Sequence, residues 1–194
     1  MRGIRSVVVL SVFALVGSTW AVAQQAVPPP PRPADSGPTL EATLTFIQQK
    51  INGVGKLNFA NYVHDNSNGS DWIVRKTFEI SNFRANAATC RIDFHSTVAN
   101  NGQVTGDGDY WFSLRDAEDV VILPVEQAWK EIDSKDGNTT WSYKSDPAVS
   151  VLRVRRKGGI ANEFDFMDQE MADRVAKAVT HAIELCGGGS KDPF

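Results

Sequence analysis

Few residues in this chain combine a reactive type with a useful spacing, and the best set lies in Arg91-Ile92-Asp93-Phe94-His95 and Asp107-Gly108-Asp109. Alternate side chains of a strand share a face, so Arg91, Asp93 and His95 would stand together. A carboxylate can orient an imidazole for general acid–base work, and a hydrolase-like site would combine His95 with Asp93, Asp107 and Asp109. The simpler reading is a solvated sheet face on which Arg91 balances the acids. No serine sits in a Gly-x-Ser-x-Gly elbow. His64, His95 and His181 are not at metal-ligand spacing, and neither His-Glu-x-x-His nor Cys-x-x-Cys occurs, so no metal and no cofactor is expected. The oxygen-rich run Asp65 to Asp71 would need a bidentate glutamate where Lys76 stands to make an EF-hand. It is read as a turn, as is Asp107-Gly108-Asp109.

Arg153, Arg155, Arg156 and Lys157 form the densest basic cluster. Arg153 and Arg155 alternate with Leu152 and Val154 and so line one strand face. That face could bind a phosphate, a lipid headgroup or an acidic partner. The plainer alternative is an edge strand whose positive charge blocks strand-on-strand aggregation. The aromatic side chains of Tyr110-Trp111-Phe112, Trp129, Trp141 and Tyr143 are read first as core and second as a ligand-binding wall.

The elements that must position these groups are legible in outline. Leu40, Leu44, Ile47 and Ile51 recur at helical spacing, which predicts a helix over Thr39 to Asn52, capped by Thr39 and ended by Gly53. Strands are expected at Leu57 to Val63, Trp72 to Ile80, Thr89 to Ala99, Tyr110 to Leu114, Val120 to Lys130, Thr139 to Lys144, Val149 to Lys157 and Ile160 to Phe166, with Asn100-Asn101-Gly102 as a hairpin turn. A closing helix follows Asp168, its stripe of Met171, Val175, Ala178, Val179, Ala182 and Cys186 ending at Gly187. Cys90 falls on the apolar face of the third strand and Cys186 on the buried face of the last helix. One disulfide joining sheet to helix is therefore expected.

Helix, seven or eight antiparallel strands and helix is not an alternating βαβ pattern. It predicts an α+β fold in which helices cover an antiparallel, bent sheet or barrel. The stretch Phe164-Asp165-Phe166-Met167-Asp168, continuing through Ala172, Val175-Ala176, Ala178, His181-Ala182 and Leu185-Cys186, resembles the closing helix of small exported bacterial proteins of unknown function with a pleckstrin-homology-like domain. The resemblance implies a scaffold and brings no functional residues with it.

The N-terminus reads as a secretory signal over residues 1–23. Arg2 and Arg5 precede the apolar run Val7 to Val16, and Ala21-Val22-Ala23 offers a cleavage site before Gln24. The apolar run is about half the roughly 20 residues a bilayer core demands, so a retained anchor is the weaker reading and no transmembrane segment is expected after cleavage. Residues 24–38 carry six of the nine prolines and read as an extended spacer. Residues 39–189 then form one domain, with 190–194 as a tail. The chain's net charge of −3 becomes −5 once Arg2 and Arg5 are removed, which excludes a dedicated nucleic-acid binder. The expectation is an exported, periplasmic or extracellular, non-enzymatic binding or scaffold domain whose partner is a protein, peptide or small molecule. The alternatives are the hydrolase-like use of His95 and a peripheral binder of anionic membrane through Arg153 to Lys157.

Overall fold

The computed structural model describes residues 37–135, 137 and 140–189; the expected signal and nearly all of the proline-rich spacer lie outside these, as does the expected tail. Thr39 caps helix α1 (Leu40–Val54), its hydroxyl accepting from the Ala42 amide at 3.3 Å. The helix runs past Gly53 and ends at Gly55, whose φ of 66° is the left-handed conformation that glycine adopts without a Cβ clash. Strands β1 (Lys56–Asp65), β2 (Ser70–Asn86), β3 (Arg91–Asn100) and β4 (Gln103–Ser113) follow as successive hairpins. A short 3-10 turn (Leu114–Asp116) leads to β5 (Ala117–Pro124), helix α2 (Val125–Lys135), β6 (Trp141–Asp146), β7 (Ser150–Arg156), β8 (Ile160–Phe166) and helix α3 (Gln169–Leu185).

The chain is α+β as expected, with two antiparallel sheets: one ordered β4-β3-β2-β1-β6, the other β5-β7-β8. The sheets do not close into a barrel. The segment Val120 to Lys130, expected to be one strand, is split between β5 and α2. Val125, Ala128, Trp129 and Ile132 recur at helical spacing, and burying Val125 and Ala128 outweighs the β-branched run of Val120 to Ile122 just before them.

The larger core lies between α1, α3 and the inner faces of both sheets, and includes Ile47, Phe83, Phe112, Leu152 and Val175. At a bulge between Ser81 and Arg84 the β2–β3 ladder is interrupted, and α1 repairs it. Asn52 donates to the Phe83 carbonyl (3.0 Å) and accepts from the Phe83 amide (3.1 Å), while Gln48 accepts from the Ala85 amide (3.0 Å). Asp168 caps α3 by accepting from the Met171 amide at 3.1 Å. Cys90 lies in the turn before β3, one residue earlier than the strand expected to hold it, with φ of 54°. It is bonded to Cys186, the residue that caps α3, across a Cα–Cα distance of 5.9 Å.

Candidate ligand-binding site

The outer faces of β3 and β4 bring together part of the acid–imidazole set. His95 is opposite Asp109 in the ladder and Thr97 is opposite Asp107. His95 Nδ1 lies 2.9 Å from Asp109 Oδ1, and its Nε2 lies 3.1 Å from Asp107 Oδ1. Asp93 does not join them, because Arg91 holds it through Nε at 2.8 Å and through Nη2 at 2.6 Å while stacking on Trp111. The Asp109 and Asp107 carboxylates raise the His95 pKa, which favours imidazolium. With both ring nitrogens engaged by carboxylates, neither is free to take a proton from a substrate as a general base. Thr97, the neighbouring hydroxyl, donates to Asp107 at 2.8 Å and helps keep that carboxyl below its usual pKa. The cluster is an ion network on an open sheet face.

The basic cluster is largely neutralised. Arg153 is held by Glu131 and by Glu163, the latter at 2.6 Å, and its side chain is only 12 % exposed. Arg155 grips Asp119 with two hydrogen bonds of 2.6 Å. Arg156 lies on the other side of β7, over the Phe112 ring at 5.9 Å, and Lys157 follows in the turn after the strand. The four cations therefore do not share one free face. The acidic turn is likewise closed on itself: Asp65 accepts from the Ser67 amide, the Ser67 hydroxyl and Asn68 Nδ2 at 2.9, 2.6 and 3.0 Å.

A different site lies between α2 and the inner face of the five-stranded sheet. Near the β1–β2 turn the inward positions run Trp72, Val74 and Lys76 on β2, Asn61 and Val63 on β1, and Trp141 and Tyr143 on β6. Ladder registry places Val63 between Trp72 and Tyr143, and Lys76 between Phe59 and Asn100. Helix α2 roofs this area with Trp129, Ile132 and Asp133, leaving a cavity of about 270 Å³. Glu126 anchors the roof by accepting from the Ser145 amide and hydroxyl at 2.7 and 2.6 Å. Exposed Trp72 and Ile132 mark the mouth. Lys76 and Trp129 also line a smaller space of about 150 Å³ toward Val151, Glu163 and Asp165.

The chemistry of this cavity is unusual for a core. Among the described residues, five buried side-chain polar atoms lack a protein partner, and three of them line it: Asn61 Oδ1, Asn100 Oδ1 and Tyr143 Oη. Asn61 is 2 % exposed. Leaving such an atom unbonded costs about 1–3 kcal/mol. The Lys76 ammonium lies 4.1 Å from the centre of the Trp129 ring, and burial lowers its pKa against the opposing pull of Asp165 and Asp133. Burial, with the Glu163 charge beside it, pushes the Asp165 carboxyl up to about 7, against the pull of Lys76. Trp72 meets Trp141 edge to face at 5.1 Å, and Trp129 meets Tyr143 edge to face at 5.8 Å.

Sequence reasoning reached Trp129, Trp141 and Tyr143 as a second-choice aromatic wall but missed Asn61, Lys76 and Asn100. The signal for two of them was present. In Leu57-Asn58-Phe59-Ala60-Asn61-Tyr62-Val63 the inward set is apolar except for Asn61, and Lys76 likewise interrupts Trp72, Val74, Phe78 and Ile80. No protein-family model matches this chain, and comparison with curated proteins and with solved structures returns no significant match.

Proposed function

We propose that this chain is an exported, non-enzymatic binding domain that holds a small molecule in the cavity between α2 and the five-stranded sheet. The observation that carries the reading is the convergence of three unpartnered polar atoms on one aromatic-walled space. Buried acceptors without a protein partner are rare in folded proteins, and a ligand carrying donors would satisfy these. The Cys90–Cys186 bond supports a destination in an oxidising compartment. No helix of the described residues is long and apolar enough to cross a membrane. The likeness of the last helix to exported pleckstrin-homology-like proteins is consistent with a rigid scaffold. The binding reading is favoured over the hydrolase-like one because both His95 ring nitrogens are already engaged by Asp107 and Asp109 on an open face. It is favoured over anionic-membrane binding because Arg153 and Arg155 are already paired.

Amide chemical shifts, read while the full-length protein is exposed to mixtures of small polar and aromatic compounds, test the site. Shifts confined to β1, β2, β6, α2 and the Asn100 end of β3 are expected. Shifts centred on the outer face of β3 and β4, or no shifts with any mixture, would overturn it.

A further inference from the structure

The cavity's own atoms narrow the ligand class, and this step rests on the binding reading above. Asn61 Oδ1 and Asn100 Oδ1 can only accept hydrogen bonds, so the ligand must bring donors to them. An acceptor-only group such as a carboxylate or a phosphate cannot satisfy these oxygens. It would also meet Asp133 on α2, while Glu163 and Asp165 on β8 line the smaller space that shares Lys76 and Trp129 with the cavity. A cationic ligand does bring donors, but Lys76 already places an ammonium on the Trp129 face, and like charges at such range repel strongly away from bulk water.

A neutral ligand remains. Its donors must coexist with acceptors for the Lys76 ammonium, which makes no ion pair within bonding range among the described residues. A hydroxyl does both, donating to an amide oxygen and accepting from Lys76 or from the Tyr143 hydroxyl. The walls between these polar points are the rings of Trp72, Trp129 and Trp141, which suit a ligand with apolar C–H faces. We infer that the cavity binds a neutral saccharide, one sugar ring seated against the tryptophans with its hydroxyls bonded to Asn61, Asn100 and Tyr143. A volume of about 270 Å³ is just below the usual range for drug-sized ligands, about 300–1,000 Å³, and suits a ligand of one ring.

The test uses the full-length protein labelled with 5-fluorotryptophan. Trp72, Trp129 and Trp141 report on the cavity, and Trp111, on the outer sheet face beside Arg91, is the internal control. Three probe sets are titrated to molar-scale excess: neutral mono- and disaccharides including N-acetylglucosamine, glucose, galactose and cellobiose; uronic acids and sugar phosphates; and neutral amides, indole and quaternary ammonium salts. The expected result is that a neutral saccharide shifts the cavity resonances and not Trp111, and binds at least tenfold more tightly than its acidic counterpart. Tyr143→Phe and Asn61→Leu should each weaken that saccharide at least tenfold while leaving the fluorine spectrum dispersed. If only the third set shifts the cavity resonances, the saccharide assignment is wrong and the cavity reading stands. If the acidic sugars bind as well as the neutral ones, the charge argument and the assignment both fall. If no set shifts them, both the assignment and the cavity reading fall.

Discussion

Among single residues, Asp165 has the clearest consequence for stability. Its carboxyl is pushed up to about 7 by burial and then by Glu163, with Lys76 opposing. The folded protein therefore holds this proton where an unfolded chain releases it near the ordinary carboxylate pKa of about 3.9. The sign follows from linkage: a folded state that binds more protons loses stability as pH rises. Asp165 thus makes the fold less stable progressively between about pH 4 and about pH 7, and the full penalty is present above that. Asp165→Asn should flatten the stability–pH curve over that window, raising stability at pH 8 relative to the parent, as measured by urea unfolding at several pH values. An unchanged slope would show that the carboxyl is solvated. His95 acts in the same sense at higher pH, because a raised imidazole pKa contributes stability at low pH that fades as pH climbs through the folded value. On an exposed face that contribution is small.

Elements explain what was legible and what was not. The two terminal helices announced themselves because a cap and an apolar stripe coincide in each, although α1 runs past the expected stop at Gly53 to Gly55. The β1–β2 and β3–β4 turns were readable from their residues, as at Asn101-Gly102, where both φ values are positive, but β2 runs past Ile80 to Asn86, and Asp107-Gly108-Asp109, expected as a turn, lies inside β4 (Gln103–Ser113). Helix α2 was hidden because it begins directly after β5, with Val125 continuing an apolar run. No polar cap separates the two elements. Missing α2 meant missing the roof of the cavity, and with it the site. The docking of the α3 C-terminus was equally invisible, since it depends on contacts far away in sequence. The Gly188 amide donates to the Ile183 carbonyl at 2.9 Å and the Gly189 amide to the Ala117 carbonyl at 2.8 Å. A Cβ at Gly188 would press into the Leu114 carbonyl oxygen and lie 3.1 Å from that of Ala117. Gly188→Ala should therefore destabilise the domain by about 1–3 kcal/mol, seen as a lower urea midpoint. Asn52→Ala should cost about 1–3 kcal/mol by the same measurement, because it strips both partners from the Phe83 backbone at the bulge.

The described domain is held by an α1–α3 layer over two sheets and by one covalent link that spans most of it. The Cys90–Cys186 bond closes a separation of 96 residues. In the chain-entropy picture a loop of that length stabilises the fold by ~4–5 kcal/mol at most. Replacing both cysteines by serine should lower the unfolding free energy by about 2–5 kcal/mol, and thiol labelling of the unfolded, unreduced parent should find no free cysteine. The two-cysteine count pointed to this link from sequence because one helix stripe and one strand face both aimed a thiol inward. The separation of the strands into two sheets was not legible, since neither turn residues nor alternation says which strand pairs with which. Registry is what carries Asn61, Lys76 and Asn100 to one place.

The role of the cavity is tested most directly by the unfolding free energy of Asn61→Leu in the absence of any added compound. If Asn61 is kept for a ligand, removing its unpartnered oxygen leaves the protein as stable as the parent or up to about 1–3 kcal/mol more stable. A loss of more than about 1 kcal/mol would show that Asn61 serves the fold, and would contradict the assignment of this cavity as a binding site.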